Sequence, residues 1–148
     1  MNVFEQRDIT IKYYNGEMKI SLQDFFPASN TRLNKLLNVV ELDYRRRDEH
    51  YENLIAYCKY KVEELTEKRE DAGKKSLYYH QMVANTFARI ESGKHPNGVR
   101  LTKEELDEVK EAHKHFKAVE ASYVSDFKRC AKQKERFLKH IEILEQRK

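Results

Sequence analysis

From Arg32 to Ala72 the chain contains neither glycine nor proline, and the same holds from Thr102 to Lys148. Apolar residues recur through both stretches at alternating steps of three and four, which selects long helices with one apolar stripe each. In the first the stripe is Leu33, Leu37, Val40, Tyr44, Tyr51, Leu54, Cys58 and Leu65, with Arg47 at the seam position before Tyr51. In the second it is Phe116, Tyr123, Phe127, Cys130, Phe137, Ile141 and Leu144, with Glu120 and Lys134 as polar members. This is heptad spacing, so the two helices are expected to pair along their stripes.

The ends are marked by local chemistry. Ser29 or Asn30 can cap the first helix, and Gly73 is placed to end it, giving a long helix over 30–72. Only Leu42 and Tyr44 are apolar between Glu41 and Arg47, so a break near Asp43 is the alternative. Ser76 can start a shorter helix over 77–91, with Tyr79, Val83, Phe87 and Ile90 on one side, before Gly93, Pro96, Asn97 and Gly98 make a turn. Thr102 with Glu105 reads as a capping box and Leu101 with Leu106 as a hydrophobic staple, opening the long helix 102–147. At 1.5 Å per residue the two long helices span about 64 and 69 Å, close enough in length to pair antiparallel. Aligning Ala72 with Thr102 sets Leu37 beside Phe137, Tyr51 beside Tyr123 and Leu65 beside Val109.

Residues 1–27 read as a β-hairpin. Asn15-Gly16 is the preferred two-residue type I′ turn, and alternating apolar residues flank it. That turn would oppose Tyr13 to Met18, Ile11 to Ile20 and Ile9 to Leu22 on one apolar face. The other face would carry Thr10 opposite Ser21 and Lys12 opposite Lys19, with Phe25, Phe26 and Pro27 ending the second strand. A two-stranded ribbon is marginal alone in water, so its apolar face must rest on the helices. Its outer edges offer backbone groups to a partner's sheet, although the opposed lysines would discourage such pairing.

The expected fold is therefore mainly α: an antiparallel, coiled-coil-like hairpin of long helices with a shorter third helix and an N-terminal β-hairpin, in one domain over 1–148. Charged residues are 36% and hydrophobic ones 39%, the balance of helices that bury one stripe. Aromatics at 11% are too many for a disordered chain. Met1 to Asp8 lacks the apolar core of a signal peptide, and the longest apolar run, Leu54 to Cys58, is far below spanning length. No membrane association and a cytoplasmic location are expected, with Cys58 and Cys130 as buried free thiols.

Catalytic chemistry finds little support. Each of the four glycines is taken by a turn or a helix stop, so there is no Gly-rich phosphate loop and no nucleophile elbow. His113 and His115, two apart on a helix, point to different sides. Glu111 shares a face with His115, but Lys110 and Ala112 stand where a helical di-iron site needs glutamate. Neither a metal site nor a cofactor is expected, and the chain is read as no enzyme.

Charge distribution points further. Lys128 to Lys148 holds eight basic residues against three acids, whereas Thr102 to Asp126 holds four against seven. The helix macrodipole accounts for part of this gradient. In the antiparallel alignment Arg45, Arg46 and Arg47 come beside Lys128, Arg129, Lys132 and Arg136, and these seven form the candidate anion-binding or partner-binding surface. No pair of exposed aromatics stands out in the sequence as a base-stacking platform.

The stretch Ile9 to Leu42, ITIKYYNGEMKISLQDFFPASNTRLNKLLNVVEL, resembles small accessory proteins of phages and conjugative elements in Gram-positive bacteria. The resemblance covers under a quarter of the chain and implies a bacterial setting and a regulator or inhibitor of host or element machinery. Together these readings lead to a non-enzymatic protein that binds a macromolecule through its helical faces, with a protein as partner. The alternative is a nucleic-acid-binding accessory factor using the basic end, and leftover heptad surface would allow a homodimer.

Overall fold

The computed structural model describes residues 8–22 and 28–148. Met1 to Arg7, read above for a leader, and Phe25, Phe26 and Pro27, read as the end of the second strand, lie outside the described residues. Strands β1 (Asp8–Tyr13) and β2 (Gly16–Ser21) form an antiparallel hairpin, followed by helices α1 (Asn30–Val40), α2 (Arg47–Ser92) and α3 (Lys103–Arg147). The chain divides into two compact units, Met1–Thr66 with Ala131–Lys148, and Glu67–Cys130. Helices α2 and α3 contribute to both.

In the hairpin, Ile9 faces Ile20, Ile11 faces Met18, Lys12 faces Glu17 and Tyr13 faces Gly16. The expected register is thus displaced by two residues, because the turn is made by Tyr14 and Asn15. Positive φ falls on Gly16 alone, at +156°, so Asn15 is spared the left-handed conformation that a type I′ turn demands. A two-residue slip preserves the faces, where a one-residue slip would invert them. Ile9, Ile11, Ile20 and Leu22 are accordingly buried. On the polar face Lys12 now opposes Glu17, and the lysine pair that was to discourage edge pairing does not form.

The expected helix 30–72 is two helices. Ser29 caps α1, its Oγ accepting from the Arg32 amide at 3.3 Å. After Val40 the hydrogen bonds tighten to the i−3 pattern, with the Leu42 amide donating to Val39 and the Asp43 amide to Val40. No glycine or proline makes this break. It is held by tertiary contacts to Asp43, and it leaves Tyr44, assigned to the buried stripe, 74% exposed.

Gly73 does not end a helix. Helix α2 passes through it, absorbing the expected short helix 77–91, and Ser76, read as a cap, donates its hydroxyl to the Gly73 carbonyl at 2.8 Å. A Cβ on Gly73 would meet two ring carbons of Phe127 at 3.4 Å, so the Phe127 ring of α3 packs against this stretch of α2. The helix stops at Gly93, which has φ +64° and donates its amide to Arg89 at 2.8 Å, the αL ending. The capping box forms as expected: the Glu105 amide donates to Thr102 Oγ1 at 3.1 Å, and the Thr102 amide to Glu105 Oε1 at 3.2 Å.

Because α2 runs on to Ser92, the antiparallel pairing of α2 with α3 slides from the expected alignment. Within the unit 67–130, Tyr123 stacks on Tyr79 with centroids 5.6 Å apart, not on Tyr51, and Thr86 Oγ1 lies 2.8 Å from His113 Nδ1. Within the other unit, Phe137 meets Tyr57 edge-on at 6.4 Å. Burial differs between the units for a simple reason. Two helices alone leave each seam residue open on one flank, so Tyr79, Phe116, Tyr123 and Phe127 are half-buried. Where α1 and the hairpin add layers, Leu33, Leu36, Leu37, Val40, Tyr51, Leu54, Phe137 and Leu144 are buried. Cys58 and Cys130 are both free and buried, and burial pushes the Cys58 thiol up to about 12.

Candidate functional site

The α1–α2 link is shaped from both sides. Asp43 accepts from the Lys12 backbone amide at 3.0 Å, which ties β1 to the link, and its Oδ2 lies 3.0 Å from His50 Nε2 in α2. Burial by itself would raise the Asp43 carboxyl, but the His50 hydrogen bond and those of the Lys12 and Arg46 amides outweigh it and hold the carboxyl below its ordinary value. Asp43 is thus a buried anion with its acceptors in use, and the hairpin turn is fastened beside the link.

The consequence is a cleft of about 480 Å³ lined by Lys12, Tyr13, Tyr14, Leu42, Asp43, Tyr44, Arg45 and Arg46. Tyr14 is fully exposed, Tyr44 is 74% exposed and Tyr13 37%. The Arg45 guanidinium lies 5.9 Å from the Tyr44 ring centroid. Three cations line this cleft against one acid, and that acid is the buried Asp43. Arg45 and Arg46 form no ion pair among the described residues. A second cleft of about 290 Å³ lies beneath the hairpin, between Asp8, Ile9, Thr10 and Leu22 on one side and Arg46, Glu49, His50, Asn53 and Tyr57 on the other, so Arg46 borders both.

The seven basic residues singled out in the sequence have different surroundings, five of them in the unit 1–66 with 131–148 and two in the unit 67–130. Arg45 and Arg46 line the first cleft, but Arg47 turns toward the end of α3. It donates to the main-chain oxygens of Arg147 at 2.6 Å and Lys148 at 3.5 Å, and its guanidinium stacks over Tyr51 at 4.7 Å. Glu41 completes this knot, accepting from Tyr51 Oη at 3.1 Å and from Arg147 at 3.2 Å, while Arg147 also reaches Asn38. Arg47 therefore ties the start of α2 to the last residues of the chain at the end of α3. Lys128 and Arg129 are exposed within the unit 67–130, where Arg129 is paired with Asp126 at 2.8 Å. Lys132 and Arg136 are exposed in the other unit.

What the sequence reading missed is aromatic. Heptad spacing puts Tyr44 in the stripe, but the helix ends at Val40, and the turn expected at Asn15-Gly16 is made by Tyr14 and Asn15. The signal that could have found them was the tight run Tyr13-Tyr14-Asn15-Gly16 beside a polar stretch, Glu41 to Arg47, that already hinted at a break.

Among the described residues no helix is long and apolar enough to cross a membrane, and no group of three or more His, Cys, Asp or Glu is placed to hold a metal ion. No family model, curated protein or solved structure matches this chain, so the geometry of the cleft carries the functional reading.

Proposed function

We propose that this is a non-enzymatic binding protein that engages a macromolecule through the cleft between the hairpin turn and the α1–α2 link. One observation carries the reading: Tyr14 and Tyr44 stand in water on the same cleft as Arg45 and Arg46, which form no ion pair among the described residues. Tyrosine and arginine are enriched among the residues that dominate binding surfaces: tyrosine offers a large face and a hydroxyl at little cost in side-chain freedom, and arginine a planar fork of directional donors. The cleft is also anchored. Asp43 fixes the turn and the link to each other, and the Arg47–Glu41–Arg147 knot fixes the link to the helices. Such a surface is organised before its partner arrives, which lowers the entropy lost on binding. A protein that binds without turnover acts by occupancy, which fits the regulatory or inhibitory role implied by the resemblance of Ile9 to Leu42.

Site-specific photo-crosslinking in the cells that make the protein tests this. A benzophenone side chain at Tyr14 or Tyr44 should give covalent adducts to a macromolecule, and the same group at the exposed Glu135 should give none. Adducts that are absent at both tyrosines, or equal at Glu135, would overturn the reading.

A further inference from the structure

Resting on that reading, we infer that the partner is single-stranded nucleic acid, whose bases stack on Tyr14 and Tyr44 while Lys12, Arg45 and Arg46 meet its phosphates. A single strand alternates flat π-faces with singly charged anions, and its recognition without sequence preference combines a positive groove with aromatic platforms. Here Tyr14 is fully exposed, Tyr44 keeps 74% of its surface, and Tyr13 adds a third ring at 37%. All three line one cleft with three cations.

The unsatisfied groups narrow the chemistry. Arg45 lies over one face of the Tyr44 ring at 5.9 Å from its centroid, which leaves the other face for a base and the guanidinium donors for a neighbouring phosphate. Asp43 is the single acid of the lining. It is buried and already accepts from Lys12 and His50, so its oxygens are not free to pair with the cations, and three positive charges against one negative leave the lining cationic. An acidic peptide would answer the arginines but leave the ring faces without a partner of matching shape. A duplex would answer the cations but hide its base faces within its own stack. Only an unpaired strand fits both halves.

Fluorescence anisotropy with a labelled oligothymidylate, its RNA counterpart and a duplex of equal length provides the test on the full chain. The single strands should bind and the duplex much less. Three phosphate contacts predict that log affinity falls with log salt with a slope of about −2. Tyr14→Ala and Tyr44→Ala should each weaken binding by about five- to a hundredfold, the range of one lost stack. Tyr14→Phe should retain it, since the ring and not the hydroxyl is used. Arg45→Glu with Arg46→Glu should weaken it at least as much and flatten the salt slope, whereas Lys139→Glu, an exposed base elsewhere, should leave it unchanged. Circular dichroism of each variant confirms the helices. Absent or salt-insensitive binding, equal affinity for duplex, or indifference to both alanine variants would overturn the inference. If adducts at Tyr14 and Tyr44 then prove to be protein alone, the binding surface stands and its nucleic-acid partner falls; if no adducts form there, both fall.

Discussion

The Asp43 carboxylate and the His50 imidazole, 3.0 Å apart and each only 6% exposed, join the link after α1 to the first turn of α2. The same carboxylate receives the Lys12 amide from the hairpin. The hairpin, 31 residues away in the chain, and the start of α2, seven residues on, therefore meet on one acidic side chain, and the position of the aromatic cleft depends on it.

Removing that acceptor should loosen the hairpin. Asp43→Ala leaves the Lys12 amide and His50 without their partner in a buried place, a loss of about 2–3 kcal/mol. Acid should mimic the substitution. Because the folded-state carboxyl lies below its unfolded value near 3.8, the unfolded chain takes up the proton first. The stabilisation is complete above that value and is lost as pH falls through the lower folded value. Urea midpoints from pH 6 to 3 should drop in the natural protein, and this component of the drop should be missing in Asp43→Asn.

His140 makes a separate prediction at milder pH. Its Nε2 donates to the Ala28 carbonyl at 2.8 Å, and it is 1% exposed. Burial lowers its pKa, assisted by the nearby Arg136 charge and only partly offset by the Ala28 hydrogen bond. The unfolded chain is then protonated first, so the neutral imidazole stabilises the fold above about pH 6.5 and that contribution is lost as pH falls below it. His140→Gln keeps an amide donor without a titrating group. Melting temperatures at pH 7.5, 6.5 and 5.5 should decline in the natural protein and decline less in the variant; equal declines would refute the assignment.

Gly73 separates two readings of one residue. If it were a helix stop, any side chain there would strain the backbone. Lying mid-helix with Phe127 at ordinary contact distance from a new Cβ, it should accept alanine. Gly73→Ala is expected to stabilise by about 0.5–1 kcal/mol through reduced unfolded-state freedom. Gly73→Val carries two further methyls toward the Phe127 ring and should destabilise. Chemical denaturation of the two variants reads out the opposite signs.

The residues themselves show where sequence reasoning reached and where it stopped. Periodicity is local, so the apolar faces of the hairpin, the heptad stripe from Leu54 to Leu65 and the start of α3 at Thr102 and Glu105 were legible. Each depends on neighbours a few residues away. The break after Val40 was not, because the acid that holds it takes its partners from Lys12 and His50, and nothing between Glu41 and Arg46 forces the backbone to turn. Gly73 and Gly93 are the same residue type with opposite roles: a Cβ on one would meet a ring on α3, and a Cβ on the other would meet nothing within 4 Å but would sit on a left-handed backbone. Only the packed helices distinguish them. That choice set the α2–α3 alignment, and with it the fate of the candidate cations. Arg47 went to the end of α3, while Arg45 and Arg46 were left beside tyrosines from the hairpin turn. Local hydrophobic spacing determined which elements form, because helices and strands are selected over a few residues. Their lengths and the cleft between them were decided by contacts between distant residues, which no local pattern encodes.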